Sequence, residues 1–551
     1  MNHWKKALSA LTASLILLSA AGCSSNSNTS GSTSGSDASQ NSSSGSSSAQ
    51  VHKLTILAPK PSDPNVLWDE REEYPVYQEL EKMLEENGLE FEAEVVPAEQ
   101  YSVVIQTRMS ASNLPDIVNL STVDNTTALA YGKQGVIQEL TPLIEQYSNG
   151  NIDHMFGEVY PGYPLVKTAD DKMYWFSNLH IMTYQDEPCP SGLTILVRQD
   201  WLDKLNIPTP TTAEEFTEMM REFRNQDVNE SGAADEIFDL PVSTFANGVA
   251  QWFGLGCYTV SADPANRQIV SPWYQDGIQD YFRYVQSLVQ EGIVDASLIG
   301  SNDLSVQRKA ENKTAAQFNY ATAGWLDAEV QNVEGVDYEP LMPLQAVDGI
   351  VPAMVTEPAE LVWEKFAITR NCTDVEGAIK LFDMVYTEDY ATLISWGVEG
   401  QGYEYQDGVK VNLPLGTTEE QAAAKNTTGS TLWGTVLPRV QMRTWDSELI
   451  TGNFSDTKKE FSLEAITYEP YVTLYTDNYL AMPTDEETET INQLTTALET
   501  YSTELCTKLC LGQASLDDWD TYMAEFEELG LQQLIDIQQA RMDRFFEMQE
   551  S

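Results

Sequence analysis

The sequence is poor in the residues that most often bind transition metals or form disulfides. It has six cysteines and four histidines among 551 residues. Cys23 apart, an odd number of cysteines remains, which argues against a complete disulfide framework. No HExxH or similar array occurs, so neither a zinc centre nor another transition-metal centre is expected. We interpret the remaining cysteines as small buried hydrophobic side chains: Cys189, Cys257, Cys372, Cys506 and Cys510.

Positive charge is also scarce. The chain has 31 Lys and Arg against 84 Asp and Glu, a formal charge of −53, and the acids are spread along its length. Like charges repel, and no basic cluster is available to neutralise phosphates. Nucleic acid and anionic membrane surfaces are therefore excluded as partners, and polyanionic ligands are weakly disfavoured.

Long apolar runs are absent beyond the N-terminus. There, Lys5 and Lys6 precede an apolar run of about fifteen residues, which is too short to span a bilayer. Small residues follow and lead to Cys23, so residues 1–22 are predicted to be a cleaved signal peptide. Leu18-Ser-Ala-Ala-Gly-Cys23 resembles a bacterial lipobox, which implies a diacylated Cys23 as the new N-terminus; the alternative is an ordinary signal peptide with a cysteine nearby.

The next residues predict a tether followed by a folded body. Residues 24–50 are almost entirely Ser, Gly, Asn, Thr and Ala, so residues 23–50 are expected to form a lipidated, flexible N-terminus. Strand patterns at Leu54–Ala58, Phe91–Val96 and Leu114–Leu120 alternate with helical patterns, which predicts parallel strands with helices on both faces. Thr211 and Glu214 fit a capping box at the start of a further helix.

A series of short motifs resembles the family 1 extracellular solute-binding proteins, in particular the lipoprotein branch that contains the alginate-oligosaccharide-binding proteins. The matches follow one order along nearly all of the mature chain: Leu114-Pro-Asp-Ile117, Gly135-Val-Ile-Gln-Glu-Leu-Thr-Pro142, Val197-Arg-Gln-Asp-Trp-Leu-Asp-Lys-Leu205, Glu291-Gly-Ile-Val-Asp295, Lys313-Thr-Ala-Ala316 with Gly324-Trp325, Gly397-Val-Glu-Gly400 with Tyr403, Leu516-Asp-Asp-Trp-Asp-Thr-Tyr522 and Gln539-Ala-Arg-Met-Asp-Arg544. No single match is specific, and the resemblance depends on their shared order.

The resemblance implies a helix-rich α/β fold of the periplasmic-binding-protein-like type II class, with two lobes, a hinge and a cleft between the lobes. By position, lobe 1 would comprise 51–178 and 346–414, and lobe 2 would comprise 179–345 and 415–551. The expected protein is a lipid-anchored monomer on the extracellular face of the membrane. It would capture an oligosaccharide by cleft closure and deliver it to the permease subunits of an ABC importer, without enzymatic activity and without an organic cofactor.

An acidic loop predicts a structural calcium site. Starting at Asp227, oxygen-bearing side chains occupy relative positions 1, 3, 5, 9 and 10, and glycine occupies position 6, a spacing similar to an EF-hand loop. Position 12, however, is Phe238 and not the usual glutamate. The resembled branch closes its loop with adjacent acids, which implies these ligands: Asp227, Asn229, Ser231, the Ala233 carbonyl, Asp235 and Glu236. The alternative is a solvated acidic turn without a metal.

Aromatic residues are plentiful and suit a sugar-binding cleft. The 12 Trp and 25 Tyr offer flat faces for the C–H surfaces of sugars. The candidate ligand-binding residues are Trp325, Trp252, Trp433, Trp68 and Tyr403, with Glu399 as an acceptor for hydroxyls. Trp325 is favoured because the resemblance puts it at a position that often stacks on sugar.

Two other functions remain open at this point. A binder of peptides or of another nutrient would use the same fold with a different cleft. A secreted glycoside hydrolase would need two carboxylates about 5 to 9.5 Å apart across the sugar. Such pairs arise by chance among 84 acids, but no GxSxG nucleophile motif is present.

Overall fold

A computed structural model describes residues 51–550, apart from 62–66, 112, 161, 186, 242–243, 297–301, 323–329, 331–332, 358–359, 407, 414–424, 445–454 and 475. Within these residues the chain forms two mixed β-sheets with helices packed on their faces. None of the helices in the described residues combines the length and apolarity that a membrane span needs.

The first sheet contains the three N-terminal strands and four strands from later parts of the chain. Its strands are β1 (His52–Pro59), β2 (Leu89–Val96), β3 (Ile117–Asn119), β4 (Phe176–Tyr184), β5 (Glu187–Pro188), β13 (Glu360–Ile368) and β16 (Val440–Thr444). The order is β16-β4-β13-β3-β1-β2, and β5 pairs with β4. β1 runs parallel to β2 and β3, and β13 runs antiparallel to its two neighbours.

The second sheet is built around β6. Its strands are β6 (Ser191–Arg198), β7 (Ile237–Asp239), β10 (Thr314–Tyr320), β11 (Tyr338–Pro340), β12 (Met354–Glu357) and β17 (Tyr471–Thr473), in the order β17-β12-β6-β10-β7 with β11 beside β6. β6 is antiparallel to β10 and β12, so their carboxyl ends meet the amino end of β6. Two hairpins stand apart: β8 (Ser261–Asp263) with β9 (Gln268–Val270), and β14 (Tyr403–Gln406) with β15 (Val409–Asn412).

The helices have the following bounds. They are α1 (Pro75–Glu86), α2 (Ala98–Ala111), α3 (Asn125–Lys133), α4 (Thr141–Tyr147), α5 (Asn151–Asp153), α6 (Tyr163–Val166), α7 (Gln199–Leu205), α8 (Ala213–Asn225), α9 (Val249–Trp252), α10 (Ile278–Gln290), α11 (Asn302–Ala310), α12 (Val375–Val385), α13 (Glu388–Trp396), α14 (Gly429–Trp433), α15 (Asp456–Ile466), α16 (Asp485–Cys510), α17 (Trp519–Glu528) and α18 (Leu531–Glu550). The alternation predicted for the first 70 residues of the body is present as β1, α1, β2, α2 and β3.

The capping box of α8 lies one residue later than predicted. Thr212, and not Thr211, is the N-cap, and its side chain accepts a hydrogen bond from the Glu215 backbone N–H. The Glu215 carboxylate accepts from the backbone N–H groups of both Thr211 and Thr212. Because the sequence has two threonines and two glutamates in tandem, two frames satisfied the motif equally well.

Each sheet has its own hydrophobic core. The first core packs α1, α12 and α13 against the first sheet and includes Ile56, Leu80 and Phe382. The second packs α8, α10 and the C-terminal helices α16–α18 around β6 and β10, and includes Phe216 and Tyr281. The cysteines at 189, 257, 372, 506 and 510 are buried and form no disulfide within the described residues, as predicted.

The chain passes between the two sheets at three places. It leaves β4 for β6, returns from β12 to β13, and leaves β16 for β17. Within the range 346–414 predicted for lobe 1, β12 belongs to the second sheet and β13 to the first. Within the range 415–551 predicted for lobe 2, β16 belongs to the first sheet. The positions at which the lobes divide remain a prediction.

Candidate ligand-binding site

A cluster of polar side chains lies at the carboxyl end of β3, beside the amino ends of β4 and β16. Arg439 Nη2 donates to Glu364 Oε1 over 3.2 Å, and the Arg439 backbone N–H donates to Asn178 Oδ1 over 2.7 Å. Asn119, the last residue of β3, donates to the Thr435 carbonyl. Open α/β sheets bind ligands beyond the carboxyl ends of their parallel strands, so this cluster is a candidate wall of the site.

Glu364 occupies a strained backbone position in this cluster. The pairing of β13 with β4 shifts register between Trp363 and Phe366, and Glu364 within that bulge has a φ of 61°. Non-glycine residues rarely adopt the left-handed region, and such strain is concentrated at functional sites. The bulge therefore marks β13, one of the crossing strands, as part of the candidate site.

Burial shifts the pKa values of three groups in this cluster. Burial raises the pKa of Glu364, although the positive charge of Arg439 opposes that rise. Burial lowers the pKa of Lys365, whose ammonium donates to Asn125 Oδ1 over 3.1 Å. The pKa of His180 falls to about 4 because the ring is buried and two positive charges, those of Arg443 and Arg439, lie nearby. His180 is thus neutral at physiological pH.

The matching edge of the second sheet carries a Tyr–Glu pair. The Tyr320 hydroxyl at the end of β10 donates to Glu357 Oε1 at the end of β12 over 2.6 Å. Both side chains are half-buried. Burial raises the pKa of Glu357, and the hydrogen bond from Tyr320 partly offsets this rise. Glu357 is the last residue of β12, immediately before the second crossing.

Two of the predicted stacking residues, Trp68 and Trp433, lie in the first core. Their exposed fractions are 3% and 0%. Tyr77 packs edge-on against both rings, with centroid distances of 6.3 Å to Trp68 and 6.0 Å to Trp433. The Trp433 indole N–H donates to the Tyr390 hydroxyl. The structure brings these two tryptophans together, but as packing residues that offer no open face to a sugar.

Trp252 is also a core residue, in the second hydrophobic core. It has no exposed surface, and its ring meets Phe216 edge-on at a centroid distance of 5.1 Å. Trp325, the favoured stacking residue, lies outside the described residues. The aromatic count therefore overstated the surface available for stacking, because core packing uses three of the candidate tryptophans: Trp68, Trp252 and Trp433.

Glu399 and Tyr403 are brought together at the β14–β15 hairpin, where they form an isolated β-bridge. Glu399 is exposed, whereas Tyr403 is 8% exposed. Tyr405 lies two residues further along β14 and is 55% exposed; its ring is 5.9 Å from that of Tyr403. The Lys410 ammonium lies 5.1 Å above the Tyr403 ring. This hairpin is the predicted part of the site that is open to solvent.

The predicted calcium loop folds its oxygen atoms towards one point. Ser231 Oγ lies 2.7 Å from Asp235 Oδ1, 3.1 Å from the Ala233 carbonyl and 3.4 Å from Asp227 Oδ1. Oxygen atoms that coordinate Ca²⁺ at about 2.4 Å are about 3 Å from their neighbours. Gly232, with a φ of 84°, makes the turn, as position 6 of the motif requires.

The charges of this loop suit a hard cation. Burial raises the pKa of Glu236, and the negative charges of Asp235 and Asp227 raise it further. Glu236 Oε2 is buried without a hydrogen-bond partner. In the described residues no group of three or more His, Cys, Asp or Glu side chains is arranged to hold a metal ion; the loop instead mixes carboxylate, amide, hydroxyl and carbonyl oxygens. Such a mixed set fits Ca²⁺ and not a transition metal.

The chain forms two α/β units that are joined by three crossing segments, and polar residues lie near these crossings. This arrangement is typical of two-lobed solute receptors. Residues 69–392, more than half of the chain, match the bacterial extracellular solute-binding protein family, and the chain belongs to that family. It is therefore a binding protein and not an enzyme, and its fold is of the predicted periplasmic-binding-protein-like type II class.

Known proteins resemble this chain over most of its length. The fructooligosaccharide ABC transporter substrate-binding protein FusA of Streptococcus pneumoniae is 22% identical over 464 residues, which cover 79% of this chain and 81% of the relative. A structure of a FusA EF-hand mutant with fructo-nystose superposes with a TM-score of 0.66 at 19% identity, covering 90% of this chain and 99% of that one.

Two further structures share the fold at the same coverage of 90% and 99%. An HMO-binding, ABC-transporter-associated solute-binding protein of Bifidobacterium longum infantis has a TM-score of 0.66 at 18% identity. The alginate-binding protein AlgQ2 without calcium ion has a TM-score of 0.63 at 18% identity.

Sequence reasoning missed several residues of the candidate site. Tyr405 could have been found, because residues i and i+2 of a strand share one face and Tyr403 was already a candidate. Tyr320, Glu357 and Glu364 carried no local signal, since their roles depend on strand pairing and on a bulge.

Proposed function

We propose that this chain captures an oligosaccharide outside the cell and delivers it, chemically unchanged, to an ABC importer. The observation that carries the proposal is the pair of polar edges, Glu364–Arg439 on the first sheet and Tyr320–Glu357 on the second, on either side of one crossing segment. A ligand that contacts both edges favours the closed state, because only differential affinity shifts such an equilibrium. The likeness to FusA along most of both chains supports an oligosaccharide as that ligand.

The proposed binding residues differ from those suggested by aromatic content alone. Glu357, Tyr320 and the Glu364–Arg439 pair supply polar contacts at the two edges. Trp325, Tyr403 and Glu399 remain proposed contacts, and Tyr405 joins them. Trp68, Trp252 and Trp433 are reassigned to packing because none has a free ring face.

The lobes in this proposal follow the sheets. β12 moves with lobe 2 and β16 with lobe 1, so the hinges lie at the three crossings: between β5 and β6, between β12 and β13, and between β16 and α15. This division refines the boundaries expected from the resemblance, because a strand moves with the sheet to which it is hydrogen-bonded.

The acidic loop from Asp227 to Glu236 is proposed to hold one structural Ca²⁺. Asp227, Ser231 and Asp235, the Ala233 carbonyl, and the nearby Asn229 and Glu236 provide enough oxygens for it. The ion would neutralise the carboxylates and fix the turn that connects α8 to β7. It supplies no catalytic chemistry in this proposal.

The N-terminus is proposed to anchor the protein. Diacylation of Cys23 and the Ser/Gly-rich residues 24–50 would hold a monomeric body at the extracellular face of the membrane, where more than one acyl chain is needed for stable attachment. Cys23→Ala is expected to abolish the incorporation of radiolabelled palmitate, because the acyl chains are carried by this thiol.

A thermal-shift and calorimetric panel tests the ligand class. The expected result is saturable binding of oligosaccharides and no binding of tri- to pentapeptides, with intact ligand recovered by chromatography after long incubation. Binding of peptides alone would refute the proposal. Conversion of many equivalents of sugar into shorter products would refute the transport role.

A further inference from the structure

We infer that the captured oligosaccharide is uncharged, and that Glu357 with Tyr320 binds its hydroxyl groups at the edge of the second sheet. The inference deepens the proposed function and rests on it. It separates this chain's ligand from the uronate class, to which alginate belongs.

Positive charge is sparse over the whole body. Only Lys5 and Lys6 of the 31 Lys and Arg precede residue 51, and every other one lies in the described residues. The undescribed segments that follow β10, link β12 to β13, follow β15 and follow β16 contain no Lys or Arg. They contribute these acids: Asp327, Glu329, Glu419, Glu420, Asp446 and Glu448. No base from these segments is available to meet an anionic sugar.

The bases at the polar edge of the first sheet already have partners. Lys60, directly after β1, lies 3.4 Å from an Asp69 carboxylate oxygen. Arg439 pairs with Glu364. Lys365 donates to an Asn125 side chain. To bind a carboxylate of the ligand, these bases would have to break their existing interactions. That exchange lowers the net binding free energy of a charged sugar.

Arg443 on β16 is the base that most directly challenges the inference. It is half-buried, and together with Arg439 it places positive charge beside His180. Glu364 supplies one negative charge to this group of side chains. The test therefore includes Arg443→Gln, because removal of this positive charge is expected to weaken the binding of an anionic ligand.

The geometry of the Tyr320–Glu357 pair also favours an uncharged ligand. Glu357 Oε1 accepts from Tyr320, which leaves Oε2 as an acceptor for a guest. Tyr320 thereby holds the carboxylate in place. A carboxylate oriented in this way can accept from a sugar hydroxyl, and a guest carboxylate next to Glu357 would meet like charge in a half-buried setting.

The test compares matched trisaccharides on the mature chain by isothermal titration calorimetry. The neutral probes are malto-, cello-, xylo-, manno- and fructotriose, and the anionic probes are trigalacturonate and trimannuronate, each at 50 and 500 mM NaCl. We expect at least one neutral probe to bind, with its Kd changing less than twofold with salt. The anionic probes are expected to bind at least tenfold more weakly.

Two substitutions test whether Glu357 and Tyr320 contact the sugar. Glu357→Gln is expected to weaken binding of the neutral probe at least tenfold and Tyr320→Phe about fivefold, each with a native circular dichroism spectrum. Glu339→Gln, the same substitution on β11 at the opposite end of β6, serves as the control and leaves the Kd within twofold. If Glu357→Gln fails to fold, Tyr320→Phe carries the test alone.

Three results would overturn the inference. Tighter binding of a uronate that weakens with salt and is lost in Arg443→Gln would show an anionic ligand, while leaving the proposed oligosaccharide function intact. Unchanged affinity in both Tyr320→Phe and Glu357→Gln would remove the Tyr–Glu pair from the site. Binding of peptides and of no sugar would refute the proposed function itself.

Discussion

The Tyr320 hydroxyl reaches across a whole strand to Glu357. Tyr320 ends β10 and Glu357 ends β12, and β6 lies between these strands. In the register of the sheet, Tyr320 pairs with Leu193 and Glu357 with Ser191, so the side chains share one face and span about two strand spacings, roughly 9.5 Å. Tyr320 packs against the hydrophobic cluster that contains Leu193, and its hydroxyl fixes the carboxylate at the point where the chain leaves for the first sheet.

Ligand affinity is expected to depend on pH through Glu357. A sugar hydroxyl donates to the ionised carboxylate, and burial raises the pKa of this group. Affinity should therefore be highest at neutral pH and fall as the pH is lowered through that raised pKa. Calorimetry from pH 7.5 to 4.5 measures this fall, and Glu357→Gln should reduce it. A wild-type affinity that is constant over this range would exclude the carboxylate as an acceptor.

Trp252 and Trp433 are expected to affect stability and not binding. Each is fully buried, so replacement by Ala should lower the free energy of unfolding by about 3–5 kcal/mol. Replacement by Phe should leave the ligand Kd within twofold. Urea unfolding and calorimetry of the same variants separate the two effects. A Phe variant that folds normally but no longer binds the ligand would show that this tryptophan belongs to the binding site.

Calcium is expected to stabilise the body through the loop at Asp227. At a free concentration one hundred times its Kd, the ion should add about 2.7 kcal/mol to the free energy of unfolding. Asp227→Asn should abolish most of this gain. Glu230→Gln is the matched control, because Glu230 lies in the same loop but faces Lys204 at 2.7 Å. Unfolding curves that coincide in calcium and in EGTA would contradict the assignment.

Glu339 is expected to destabilise the protein at alkaline pH. Its pKa is raised from 4.5 to about 7, chiefly by burial. The folded state thus holds a proton that the unfolded chain loses, so the stability contributed by this proton is complete below pH 4.5 and lost as the pH rises through 7. Glu339→Gln should be more stable than wild type by about 1–3 kcal/mol at pH 8. The difference should disappear near pH 4.5, and a constant difference would contradict the assignment.

Local patterns were sufficient for much of the fold. The hydrophobic periodicity of α1 and the alternation of β2 identified both elements within a few residues of their bounds, because each signal is contained in one short segment. The oxygen spacing of the Asp227 loop led to a turn whose oxygens do converge. At α8 the tandem threonines left two possible capping boxes, and the structure uses the later one.

The candidate site was less accessible to sequence reasoning, for two physical reasons. Whether a tryptophan is a platform or a core residue depends on what packs on both ring faces, and Trp252 differs from an exposed tryptophan only in that environment. The Tyr320–Glu357 pair depends on the register of three strands, and the bulge at Glu364 depends on the pairing of β13 with β4. None of these relationships leaves a signal in neighbouring residues.

A crystal structure of the mature chain with the tightest-binding neutral trisaccharide tests the central claim most directly. The account predicts one intact sugar between the two sheets, with hydroxyl groups within 3.2 Å of a Glu357 oxygen and of a side chain in the cluster of Glu364 and Arg439. A sugar that contacts only one sheet, or that is bound away from both polar edges, would contradict the account.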